Sequence, residues 1–66
     1  MEIIVNGSQR EVPPGYTAQQ LVEDLGLAGR RIAMEVNREI VPRSDYPARV
    51  LNDGDRVEVV HAIGGG

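Results

Sequence analysis

Residues 1–26 read MEIIVNGSQREVPPGYTAQQLVEDLG, and the order of signals within them decides the fold. Met1 to Val5 is apolar and β-branched, and Asn6-Gly7 follows at once. Asn-Gly is a strong hairpin signal, because both residues tolerate the positive φ of a type I′ turn. A second strand over about Gln9 to Val12 must stop at Pro13-Pro14-Gly15, where proline removes ladder donors. Thr17-Ala18-Gln19-Gln20 then forms a capping box. Ala18, Leu21, Val22 and Leu25 repeat at i, i+3, i+4 and i+7, the stripe of an amphipathic helix. Gly26 stands where a left-handed cap is wanted. The spacing predicts a helix from Thr17 to about Leu25, with Gln19, Glu23 and Asp24 facing water.

Downstream, Ile32 to Val36 alternates as a strand, and Asn37-Arg38 turns into a short strand ending at Val41 before Pro42. Arg43 to Pro47 reads as irregular. Asn52-Asp53-Gly54-Asp55 is a second strong turn, and Arg56 to Ala62 is the last strand. The order is β-β-α-β-(β)-β, with no repeats and no linker. A hairpin, one helix crossing it and then further strands form the arrangement of the ubiquitin-like β-grasp fold, α+β with a mixed sheet. A generic two-layer α+β sandwich is the alternative. Residues 1–63 make the domain and 64–66 a glycine tail. Ile3, Val5, Leu21, Val22, Leu25, Met34, Val36, Val57 and Val59 are the expected core.

Composition narrows the function classes. A chain of 66 residues is one small domain, burying only about 60% of its unfolded surface. It has no cysteine and one histidine, which leaves little for a structural zinc site, and no metal site is expected. A cysteine-free chain fits the cytosol. With no long apolar run and no charged start, it is expected to be cytoplasmic, without membrane span or signal peptide. The net charge is −3 and every basic residue is arginine. Nucleic-acid binding wants a basic stripe and stacking aromatics, so nucleic acid is not an expected partner. Tyr16 and Tyr46, beside glycine or proline, read as packing residues. Lacking lysine, the chain offers no acceptor for lysine-linked chains of itself.

The chemistry is expected at Gly64-Gly65-Gly66. Glycines at an end are commonly a frayed terminus or a cloning remnant. Here they follow a strand directly, and the rest of the chain offers little chemistry. A carboxylate becomes an acylating group once it attacks the α-phosphate of ATP, and a thiol or persulfide can displace the resulting adenylate. Such a site must exclude water. Residues without Cβ thread a narrow channel and leave the carbonyl open from both faces. No phosphate loop is present, so ATP must be bound by a partner.

The remaining candidates are weaker. His61 has no companion set for metal or base chemistry, and a strand position explains it. Asp53 and Asp55 flank Gly54 as turn residues. Ser8 and Ser44 lack a base, and Arg43, Arg49 and Arg56 are scattered. By strand alternation Ile4, Val60 and Ala62 face away from the helix. Ile4 is expected beside Val60, and with Ala62 and Ile63 they make a partner-docking patch near the tail, rimmed by Glu2 and Glu58.

Val36-Asn37-Arg38-Glu39-Ile40-Val41-Pro42-Arg43, then Leu51-Asn52-Asp53-Gly54-Asp55-Arg56-Val57-Glu58, then the diglycine end, resemble the ThiS sulfur carriers of bacterial thiamine biosynthesis over nearly the whole chain. The resemblance implies a carrier that is itself no enzyme. An adenylyltransferase partner (ThiF-like) would use ATP and magnesium to adenylate Gly66, and a persulfide-bearing sulfur donor would convert it to a thiocarboxylate. Thiazole synthase would then take the sulfur into the thiazole ring. Gly65 and Gly66 map to the family's final pair, with Gly64 as a spacer. The small subunit of molybdopterin synthase, a ubiquitin-like modifier and a non-catalytic interaction domain are the rival readings.

Overall fold

A computed structural model describes residues 1–62; Ile63 and Gly64 to Gly66 lie outside the described residues. The elements are β1 (Glu2–Val5), β2 (Ser8–Glu11), α1 (Ala18–Asp24), β3 (Ile32–Val36), β4 (Glu39–Val41), a 3-10 turn at Arg43–Asp45 and β5 (Arg56–His61). The segment read as irregular therefore contains a short helical turn. The last strand stops one residue earlier than expected, and the Ala62 N–H donates to the Arg31 carbonyl at 3.0 Å.

The two hairpins form because their turns accept left-handed backbone. Asn6 and Gly7 have φ of 49° and 85°, and Asn37 and Arg38 have 50° and 71°. Positive φ at both central residues is the signature of type I′, whose twist matches that of the strands. The helix begins at the expected capping box. The Gln20 N–H donates to Thr17 Oγ1 at 3.1 Å, and the Thr17 N–H donates to Gln20 Oε1 at 2.9 Å. It ends in a Schellman motif: Gly26 is left-handed, and the N–H groups of Gly26 and Leu27 donate to the carbonyls of Glu23 and Val22.

One mixed sheet results, in the order β2-β1-β5-β3-β4. β1 and β5 are parallel, and the other neighbours are antiparallel. The last strand in the chain is therefore the central strand of the sheet. A single cluster joins Ala18, Leu21 and Val22 of the helix to Ile3, Val5, Met34, Val36, Val57 and Val59 of the sheet.

Leu25 corrects the expected core. It caps the helix and is only half-buried, packed against the rim of the cluster. Six apolar residues outside the expected set are buried: Val12, Tyr16, Ala18, Val41, Tyr46 and Leu51. Tyr46 and Leu51 belong to the 42–51 stretch, which folds back on the helix start. The Leu51 N–H donates to the Tyr16 carbonyl at 2.8 Å, and the N–H groups of Ala18 and Gln19 donate to the Arg49 and Tyr46 carbonyls. Free donors at a helix N-terminus are thus satisfied by a loop, which carries its own apolar residues into the core.

Candidate functional site: the tail-bearing strand and the open face

β5 leads towards the glycine tail, and its register fixes what surrounds the exit. Val57 and Val59 point into the core, so Arg56, Glu58 and Val60 line the face the helix does not cover. On β3, Glu35 lies opposite Glu58 and Ala33 opposite Val60. On β4, Ile40 lies opposite Glu35. Ile40 is 75% exposed and Val60 57% exposed. Ile40, Ala33 and Val60 form an apolar diagonal across three strands, ending on the tail-bearing one.

The expected neighbour relation of Ile4 and Val60 is corrected by the parallel pairing. Ile4 lies opposite Arg56, four positions before Val60, a separation of about 13 Å along the strand. β5 begins only at the level of Ile4, near the end of β1, and β1 turns away at Asn6-Gly7 before reaching Val60's level. Ile4 is also half-buried, whereas Val60 and Ala62 are exposed. Of the residues assigned to docking, Val60 and Ala62 stay near the exit and Ile4 does not. Ile63, with Gly64, Gly65 and Gly66, lies outside the described residues. Ile40 was missed, although the buried Val41 next to it signals by alternation that Ile40 points outward.

Towards the start of β5, away from Val60 and the exit, Glu35, Asn37, Arg38, Arg56 and Glu58 line a shallow groove of about 340 Å³ that is not part of the docking patch. Glu35 and Glu58 are like charges directly opposite one another, an arrangement that costs rather than supports sheet pairing. The turn aspartates are occupied by backbone and amide donors. Asp53 Oδ1 accepts from the Glu2 N–H at 2.8 Å. Asp55, buried, accepts from the Asn52 N–H at 2.8 Å and from Asn37 Nδ2 at 3.0 Å. His61 is exposed opposite Ile32. Ser8 and Ser44 are exposed, on β2 and in the 3-10 turn.

Tyr16 and Tyr46 are buried, as packing residues should be. Burial pushes the Tyr16 hydroxyl up to about 12, reinforced by its hydrogen bond to the Asp24 carboxylate and that group's charge, with Arg10 acting weakly the other way. Burial likewise raises Tyr46, opposed by Arg43. Neither lies on the open face.

A five-stranded mixed sheet grasping one α-helix, with its central strand leading to a glycine tail, defines a ubiquitin-like β-grasp protein. The ThiS family matches residues 3–66, the glycines included. The chain belongs to the ThiS family. The crystal structure of thiamine biosynthesis protein ThiS from Geobacter metallireducens matches with a TM-score of 0.85 and 30% identity, covering 100% of both chains. The sulfur carrier protein ThiS of Escherichia coli is 30% identical over 66 residues, 100% of both proteins. Thiazole synthase of Paramagnetospirillum magneticum is 42% identical over the same length, and there the chain spans only 20% of the relative. Among the described residues no helix is long and apolar enough to cross a membrane.

Proposed function

We propose that this chain is a sulfur carrier for thiazole formation in thiamine biosynthesis, with Gly66 as the residue that carries the sulfur. An adenylating partner activates the Gly66 carboxylate with ATP and magnesium, releasing pyrophosphate. A persulfide sulfur from a donor enzyme displaces AMP. The S–S bond of the resulting acyl disulfide, which joins Gly66 to the donor enzyme's cysteine, is then cleaved by a thiol, which forms a disulfide with that cysteine as the thiocarboxylate is released. Thiazole synthase accepts the sulfur. Gly64 and Gly65 supply the slim stem, and the partner covers the open face around Val60 and Ala62. The chain acts as a substrate of these enzymes and binds no cofactor itself.

The observation that carries this reading is the full-length match to the Escherichia coli carrier, which aligns the glycine tail with the end of a protein named for carrying sulfur. The thiazole synthase relatives support the last step. They join a domain like this one to the enzyme named for making the ring, at 42% identity.

The test is mass spectrometry of the intact protein after incubation with the adenylating enzyme, ATP, magnesium, a persulfide donor and a reducing thiol. Sulfur in place of one oxygen at Gly66 is expected. A lysine-linked adduct would point to a modifier instead, and an unchanged mass would refute the carrier reading.

A further inference from the structure

β1 pairs with β5 only at Ile4–Arg56 and Val5–Val57 before the chain turns away at Asn6-Gly7. The ladder nevertheless continues. The Asn6 backbone N–H donates to the Val57 carbonyl at 2.9 Å. Its side-chain Nδ2 donates to the Val59 carbonyl at 3.1 Å, and its Oδ1 accepts from the Val59 N–H at 2.8 Å. One primary amide therefore satisfies both backbone groups of Val59, which in a parallel ladder would take two residues of β1. The turn alone does not require this, because glycine or aspartate also accepts a φ of 49°. Neither brings a donor and an acceptor together on its side chain at neutral pH.

Asn37, in the other hairpin, grips the opposite end of the same strand. Its Oδ1 accepts from the Arg56 N–H at 3.0 Å, and its Nδ2 donates to Asp55 Oδ1 at 3.0 Å. Past Val59, β5 is held along its β3 edge by the Ala33–Val60 and Ile32–His61 pairs. On its β1 edge, the Asn6 amide is the last hydrogen-bonded hold among the described residues. A strand held on one edge can hinge about it; held on both, it leaves the sheet in one direction.

We propose that Asn6 is a positioning residue for the carrier reaction: its side-chain amide fixes the direction in which β5 leaves the sheet and so presents the tail to the adenylating enzyme. This rests on the reading of Gly66 as the adenylated residue. Asn6 acts through β5, so its loss should reduce productive encounters and leave the bound chemical step unchanged.

The experiment compares Asn6→Gly with Asn37→Gly, the same change in the same turn type at the far end of β5. Each is measured for urea midpoint, amide exchange at Val59 and steady-state pyrophosphate release. Asn6→Gly should accelerate Val59 exchange and raise the KM for the carrier about three- to tenfold, the equivalent of a net hydrogen bond or so, with kcat unchanged. Asn37→Gly should leave that KM at the wild-type value. Asn6→Asp keeps the acceptor and should fall between; it carries the test if Asn6→Gly does not fold. Equal KM effects at the two positions, or a wild-type KM in an Asn6 variant whose Val59 amide exchanges faster, would overturn the proposal. Absence of pyrophosphate release from the wild-type chain would overturn the carrier reading itself.

Discussion

Arg38 is an arginine in a left-handed conformation, at φ 71° in the β3–β4 turn. Left-handed backbone costs a residue with a Cβ about 1–2 kcal/mol, part of which glycine returns through its freer unfolded state. Arg38→Gly is therefore expected to raise stability by about 0.5–1 kcal/mol, read as a higher urea midpoint. The tyrosines set the alkaline limit. With Tyr16 at about 12 when folded and near 10 when unfolded, the folded state holds its proton longer. Its contribution is complete below pH about 10 and is lost as pH rises towards about 12, with Tyr46 adding in the same direction. Urea midpoints measured between those limits should fall steadily, and a flat profile would contradict the burial of both hydroxyls. The left-handed Asn6-Gly7 turn could be read in the sequence because Asn-Gly has few other uses, whereas Asn37-Arg38 could be read only as a tight turn. The grip of Asn6 on Val59 could not, since it depends on where a parallel strand 53 residues away comes to lie.

The elements were legible wherever local chemistry alone decides them. The capping box, the Gly26 stop and the alternation of Ile32 to Val36 each need only a few neighbouring residues, and each is found where expected. The 42–51 stretch was not legible, because its burial comes from backbone bonds to the helix start rather than from a period of its own. Leu25 was misjudged for a related reason. It continues the apolar stripe but falls at the helix cap, where it packs only partly buried against the core cluster. Leu21, at 0% exposure, marks the centre of the packing. Leu21→Ala should cost about 2–5 kcal/mol, a large share of the roughly 3–10 kcal/mol available to a domain of this size. Leu25→Ala should cost about half as much or less, since part of its surface is already in water. Equal losses in the two denaturation curves would place Leu25 back in the core.

At the scale of the molecule, the helix covers one face of the sheet and leaves the other open, and the central strand is the one that precedes the glycine tail in the sequence. Two predictions follow this division. Replacing Gly65 with valine adds a branched Cβ to the stem, so adenylation should fall to background while the urea midpoint stays put. Normal adenylate formation by that variant would sink the narrow-channel argument. The second concerns the open face. On the function proposed above, an enzyme that takes the tail would approach over β5, where Val60 is 57% exposed and Ile40 and Ala33 extend the apolar diagonal. Scattered exposed apolar residues are ordinary on any surface, so contiguity with the exit, rather than exposure, is what singles these out. Val60→Arg places a hydrated cation within the apolar contact, and should raise the KM for the carrier about tenfold, the equivalent of about 1.4 kcal/mol. The side chain already faces water, so stability should change by no more than about 0.5 kcal/mol. Ile4→Arg tests the same face at the level of Arg56. Because that position is displaced from Val60 by about 13 Å along the strand, its effect on KM should be clearly smaller once any loss of folded protein is accounted for. A wild-type KM for Val60→Arg would move the docking surface off this face, and equal effects from Ile4→Arg would extend it over the whole sheet.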